Sequence, residues 1–151
     1  MKRMTTTVVA LAFLAGCATM SPKQEGPFAS PWHGKSYSEV KKNAPLAPDK
    51  ARVYLFRKEG PFLWKQSEDI LVDGVKVGVS VDRSFLFVDV APGSHTISTP
   101  SKRDGLTLPL GAGEERFLKG YWIGANFNFS LETKEEAEEE ALPLLSYRDQ
   151  P

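Results

Sequence analysis

Apolar residues recur with a short period along most of this chain, and the pattern is densest over residues 70–98, ILVDGVKVGVSVDRSFLFVDVAPGSHTIS. Four strands are predicted there. Asp73-Gly74 separates two apolar runs by two residues, the spacing of a type I′ hairpin, whose two central positions need positive φ. Ala91-Pro92-Gly93-Ser94 predicts a type II turn, with proline presetting the first central φ and glycine supplying the second. Residues 84–90 (SFLFVDV) form a nearly continuous apolar run, as in a strand buried on both faces, and residues 94–99 alternate as a half-exposed strand does.

On either side the same reading continues. Residues 52–57 (RVYLFR) are β-branched and aromatic, and a long connection, 58–68, carries Phe62, Leu63 and Trp64 at its centre. Residues 106–110 are interrupted by Pro109, which predicts an edge strand, because proline cannot donate to a ladder. After a Gly111-Ala112-Gly113 turn come strands over 116–123 and 127–131, joined by a turn at 124–126. The period then changes. Thr133 and Glu136 have the spacing of a capping box, and strong helix formers follow to about Leu142, with Pro143 as the stop. Ala137 and Ala141 mark a narrow apolar stripe, and the glutamates of 135–140 read as a solvated face without the Asp/Asn/Gly spacing of a calcium loop. The sum is an antiparallel β-sandwich of seven or eight short strands with one C-terminal α-helix, spanning residues 50–146.

The first 49 residues do not fit that pattern. Lys2 and Arg3 precede an apolar run over 8–15, the size of a signal-peptide core and too short for a bilayer span. The run ends in Leu14-Ala15-Gly16-Cys17, which closely resembles the bacterial lipobox. That resemblance implies a signal peptide over 1–16, lipidation of Cys17 and a membrane partner reached through the lipid. Ala18 stands where lipoproteins kept in the inner membrane commonly carry Asp, which implies sorting to the outer membrane, facing the periplasm. Residues 17–49 hold five prolines and predict an irregular tether, whose Phe28, Trp32 and Tyr37 fold back on the domain or lie near headgroups. Residues 147–151 are a tail.

Charge and composition narrow the function. The 19 basic and 19 acidic residues balance, and removal of 1–16 takes Lys2 and Arg3 with it, leaving a net charge of −2. A chain without a basic excess or stripe is not expected to bind nucleic acid. Cys17 is the only cysteine, so no intramolecular disulfide can form. No serine lies in a G-x-S-x-G elbow, and the two histidines, His33 and His95, fall in the tether and in a strand. His95 reads as half-exposed and hydrogen-bonded to neighbours, Asp82 as a turn residue. Asp89 interrupts an apolar run on the face of Phe85 and Phe87, which predicts bonding to turn amides or to an arginine such as Arg52 or Arg57. No catalytic residue, metal site or cofactor is predicted.

Several motifs together resemble the DUF2846 family of small bacterial lipoproteins. They are ARVYLFR at 51–57, Val72-Asp73-Gly74 with Gly78 four residues on, the segment 87–95 ending in APGSH, and Gly113-Glu114. The resemblance covers about 51–142 together with the lipobox; the PGSH element is also similar to surface modules of the PEGA type. The family's activity is uncharacterised, so the resemblance implies no functional residues. The expectation is a non-enzymatic lipoprotein, an interaction or structural module of the envelope. Phe62, Leu63 and Trp64 are its candidate contact with an envelope protein, although the same residues could complete the core or touch the membrane. The alternative is a small-ligand or lipid-binding sandwich with Phe85, Phe87, Phe117, Tyr121, Trp122, Phe127 and Phe129 lining a cavity between the sheets. A third reading is an inhibitor or cap for an envelope enzyme.

Overall fold

The computed structural model describes residues 34–60, 66–141 and 143–146. Two sheets pack face to face, and helices cover the outer face of one. A short helix, α1 (Tyr37–Asn43), leads into β1 (Ala51–Arg57). Then follow β2 (Glu68–Val72), β3 (Val75–Ser80), β4 (Ser84–Val90), β5 (Gly93–Thr99), β6 (Lys102–Leu110), β7 (Glu115–Ile123) and β8 (Asn126–Glu132). The described chain closes with α2 (Lys134–Ala141) and a two-residue β9 (Leu145–Ser146). One sheet has the order β8-β7-β1-β4-β9 and the other β3-β2-β5-β6.

The sandwich stands as predicted, with two corrections to its pairing. The larger sheet is mixed: β1 lies parallel to β7, and β4 parallel to β9. The reason is topological. The chain leaves β1, builds the whole second sheet together with β4, and returns through β7 on the opposite side of β1. The Pro92-Gly93 corner, moreover, is not a hairpin turn. It carries the chain from β4 in one sheet to β5 in the other, and Gly93 sits at φ 152°, far from the roughly +80° that a type II turn requires.

Elsewhere local chemistry produces the predicted element. Asp73 and Gly74 have φ 51° and 81°, and Val72 pairs with Val75 across them, so the type I′ hairpin forms. Thr133 Oγ1 accepts from the Glu136 amide at 3.3 Å while Glu136 Oε2 accepts from the Thr133 amide at 3.1 Å, closing the capping box of α2. Strand β6 is an edge strand, as Pro109 requires, but it begins earlier than its apolar stretch, because Arg103, Asp104 and Gly105 bulge opposite Ser98. Strand β4 is buried on both faces only over Ser84–Leu86; from Phe87 onward it is partly open.

Strand β1 lies at the sheet's centre and every one of its residues is buried. Its alternation divides the core in two. Ala51, Val53 and Leu55 face the second sheet with Ile70, Val72, Leu86, Ile97, Leu108, Leu118 and Phe127. Tyr54 and Phe56 face outward and meet Phe85, Phe117, Ala137, Ala141 and Leu144, together with Tyr37 and Val40 of α1.

Helix α1 is the main departure from the predicted organisation, since it lies inside the segment expected to be an irregular tether. Ser36 and Glu39 form a full capping box, and Tyr37 and Val40 are buried against the sheet. The packed domain therefore reaches back to about Ser36, and Tyr37 lies on the domain. Phe28 and Trp32 fall outside the described residues.

Candidate functional site

Cys17 and the Phe62-Leu63-Trp64 cluster lie outside the described residues. The remaining chemistry-bearing residues are placed, and the register of β1 against β4 decides their partners. Arg52 is directly opposite Asp89, and its guanidinium grips that carboxylate twice, Nε to Oδ1 at 2.5 Å and Nη2 to Oδ2 at 2.8 Å. Of the two arginines considered for Asp89, Arg52 is the partner. Arg57, at the other end of β1, pairs instead with Asp82 at 2.7 Å. Asp82 is thus more than a turn residue: it neutralises a buried guanidinium.

Arg52 belongs to a clasp that fastens α1 to the sheet. Its Nη1 donates to the Ala44 carbonyl at the end of the helix (2.6 Å) and to the Tyr54 hydroxyl (3.3 Å), and its guanidinium lies 4.5 Å from the centre of the Phe87 ring. From the helix side, Lys41 Nζ reaches both oxygens of Glu115, at 2.8 and 2.6 Å, and the Tyr54 hydroxyl donates to the same carboxylate at 3.3 Å. The Tyr37 hydroxyl donates to Glu138 of α2 at 3.3 Å, and its ring stands edge-on to Tyr54 and Phe85. Burial pushes the Tyr54 hydroxyl up to about 12, although Arg52 pulls the other way. Burial also pushes the Tyr37 hydroxyl up, reinforced by Tyr54, Glu138 and Glu115. Burial opposes the Arg52 charge, but hydrogen bonds to Asp89 and Tyr54 more than restore it.

Replacing Arg52 with methionine keeps the apolar stem and removes its bonds to Ala44, Tyr54 and Asp89. Asp89, whose side chain is one-third exposed (33%), can rehydrate, so the cost is that of lost hydrogen bonds rather than of a stranded buried charge, about 1–2 kcal/mol. The expected result is a modest fall in Tm together with faster amide exchange confined to 37–44. Unchanged exchange there would show that the packing of Tyr37 and Val40 and the Lys41–Glu115 pair hold the helix without Arg52.

The glutamate face of α2 is less solvated than predicted. Glu135, Glu136 and Glu139 are exposed, but Glu140 turns toward the sheet and accepts from Lys58 at 2.7 Å and Lys119 at 3.1 Å. Burial raises its pKa, yet the two lysines outweigh burial and hold the carboxyl below its ordinary value. A cleft of about 530 Å³ opens beside this cluster, and its walls are mostly charged, with Lys58, Arg83 and Glu139 among them.

At one pole of the sandwich, His95 of β5 ties two loops together. Its Nδ1 is 2.7 Å from Asp73 Oδ2, in the β2–β3 turn, and its Nε2 is 2.8 Å from the Ala91 carbonyl, at the β4–β5 corner. Both ring nitrogens face acceptors, and a neutral imidazole donates through only one, so the imidazolium alone satisfies both. The hydrogen bond to Asp73 accordingly holds the His95 pKa above its ordinary value, and Asp73, bonded by the Thr96 amide and by His95, lies below its own. The histidine's contribution to stability is present below its unfolded pKa, about 6.5, and is lost as pH rises through the higher folded value. The aspartate's is lost only as pH falls through its depressed value. The Tm of the wild type should therefore drop more than that of His95→Gln between pH 5.5 and 8.5. Parallel curves would mean that the ring is neutral in the folded protein.

Among the described residues no group of three or more His, Cys, Asp or Glu side chains is placed to hold a metal. No helix there is long and apolar enough to cross a membrane. The seven aromatics considered for one cavity are divided between the two faces of the larger sheet. Phe85, Phe87 and Phe117 lie under the helices, and the alternation of β7 puts Tyr121 on that face, whereas Trp122, Phe127 and Phe129 belong to the core between the sheets. They cannot line a single cavity. The chain matches no family model, and neither the curated proteins nor the solved structures contain a match to it.

Proposed function

We propose that this chain is a lipid-anchored protein of the bacterial envelope whose β-sandwich serves as a non-enzymatic interaction or structural module. The observation that carries the reading is Leu14-Ala15-Gly16-Cys17 at the end of a short apolar run that follows Lys2 and Arg3. On this reading Cys17 takes the lipid and the segment before it is removed. With α1 clasped to the sheet, about twenty residues remain between the anchor and the domain. Ala18 favours the outer membrane, facing the periplasm. The resemblance to DUF2846 lipoproteins agrees with an anchored sandwich: its motifs fall on β1, the β2–β3 hairpin, the β4–β5 corner and the turn into β7.

The anchor is tested by Cys17→Ser. The changed protein should keep its first sixteen residues and carry no acyl chain by mass spectrometry. A shortened, acylated product from the variant would overturn the reading. The module's partner is sought with photocrosslinking groups at 62, 63 and 64 in cells. One recurrent protein adduct would support an adaptor role, and adducts confined to the chain itself would assign these residues to the core.

A further inference from the structure

The geometry points to a two-fold symmetric dimer formed by edge-to-edge pairing of β8 with β8 of a second copy. Among the described residues, the other three sheet edges are each guarded. Strand β6 carries Pro109 and a bulge, β3 carries Lys76 and a register shift against its neighbour, and β9 is two residues long. Strand β8, NFNFSLE, has no proline, no lysine or arginine and an unbroken register against β7, so it lacks the usual protections.

Which backbone groups of β8 are free follows from that register. Ile123 and Asn126 close a two-residue hairpin loop and form its hydrogen-bonded pair, so Asn126, Asn128, Ser130 and Glu132 turn their amides toward β7. Phe127, Phe129 and Leu131 turn theirs outward. The Phe127 amide donates to Ser101 Oγ at 3.4 Å, which closes the edge at that end. The amides of Phe129 and Leu131 find no such partner among the described residues, and Leu131 is 52% exposed. The open stretch is therefore short and centred on Ser130.

A second copy fits that stretch when the symmetry axis passes through Ser130. Phe129 then pairs with Leu131 of the second copy, and Leu131 with its Phe129, giving four N–H···O bonds and covering both exposed leucines. Ser130 faces its own counterpart as a non-hydrogen-bonded pair. Glu132 meets Asn128 of the other copy, where Lys102 Nζ already bonds Asn128 Oδ1 at 2.7 Å. The one charge on the strand, a carboxylate that accepts from Ser130 Oγ of its own copy at 2.7 Å, thus falls on the same face as an opposite charge, twice, by symmetry. An unrelated extended peptide could use the same two amides, but it would not bring this matched pair of charges, and for that reason a second copy is the occupant favoured.

The test is disulfide trapping in the full chain. In a non-hydrogen-bonded antiparallel pair the Cα atoms stand about 4.5 Å apart, within disulfide range. Ser130→Cys, oxidised in air with a copper catalyst, should give a reducible species of twice the chain mass, with the two thiols losing their hydrogens to oxygen. Asn126→Cys, far from the axis in this register, should give only the background of the unsubstituted chain. Adding Leu131→Pro to Ser130→Cys removes an outward amide without touching the β7 ladder, so the dimer should be lost while circular dichroism stays native. Equal trapping from both cysteine positions, no trapping at Ser130→Cys, or a dimer that survives Leu131→Pro would each overturn the proposal.

Discussion

Replacing Gly105 with alanine should destabilise the sandwich by about 3–4 kcal/mol, a large share of the 5–15 kcal/mol that a domain commands. Two costs add at this position. Gly105 has φ +45°, where a side chain costs about 1–2 kcal/mol. A methyl group there would also overlap the Ile97 carbonyl oxygen and stand 2.8 Å from Ser98 Cβ. Neither neighbour can give way cheaply, because Ile97 is buried (1% exposed) and paired on both sides, with Val72 of β2 and Leu106 of β6. Overpacking of this kind adds about 1–3 kcal/mol. At 4–8 °C per kcal/mol for a domain near 100 residues, Tm should fall by roughly 15 °C or more. Gly113→Ala separates the two terms: its φ is +74°, but nothing lies within 4 Å of an added methyl, so only the smaller, conformational cost applies. Similar losses at both positions would mean that the β6 bulge relaxes around the methyl.

Gly105 also shows where the sequence stops being readable. Strand β6 was recognisable from Leu106 because apolar residues alternate there, but its first half is Lys-Arg-Asp-Gly, and only the bulge opposite Ser98 keeps those residues in the ladder. The hairpin at Asp73-Gly74 and the capping box of α2 are local, each set by chemistry within four residues, and both form as the sequence predicts. The same capping signal stands at Ser36-Tyr37-Ser38-Glu39 and foretells α1, yet the surrounding prolines masked it. Long-range facts were out of reach. Nothing local says that β1 runs parallel to β7, and the choice of Arg52 over Arg57 for Asp89 depends on a register fixed by the whole sheet. The aromatic residues illustrate the same limit: alternation within β7 separates Phe117 from Trp122, but which face a helix covers is decided by tertiary packing.

Phe127→Ala should cost about 3–5 kcal/mol, the range for emptying a fully buried aromatic site. Phe127 has no exposed surface and stands at the meeting point of the sheets, edge-on to Trp122 (5.2 Å) and Phe129 (5.6 Å), with the Arg57 guanidinium 5.7 Å from its ring centre. The site cannot collapse easily, because Arg57 is held by Asp82 and by the Gln66 carbonyl, and would be left beside a void. The ring's fit depends on Gly120, which β7 places where an added methyl would lie 2.5 Å from the ring's Cζ. Gly120→Ala in the wild type is therefore an overpacking change of about 1–3 kcal/mol, while in a Phe127→Leu background the shorter side chain frees that space. The two substitutions should be less than additive, with a coupling of at least about 0.5–1 kcal/mol in urea or thermal unfolding. Strict additivity would mean that the ring already moves aside, and that the close approach of Gly120 does not set the packing at this corner.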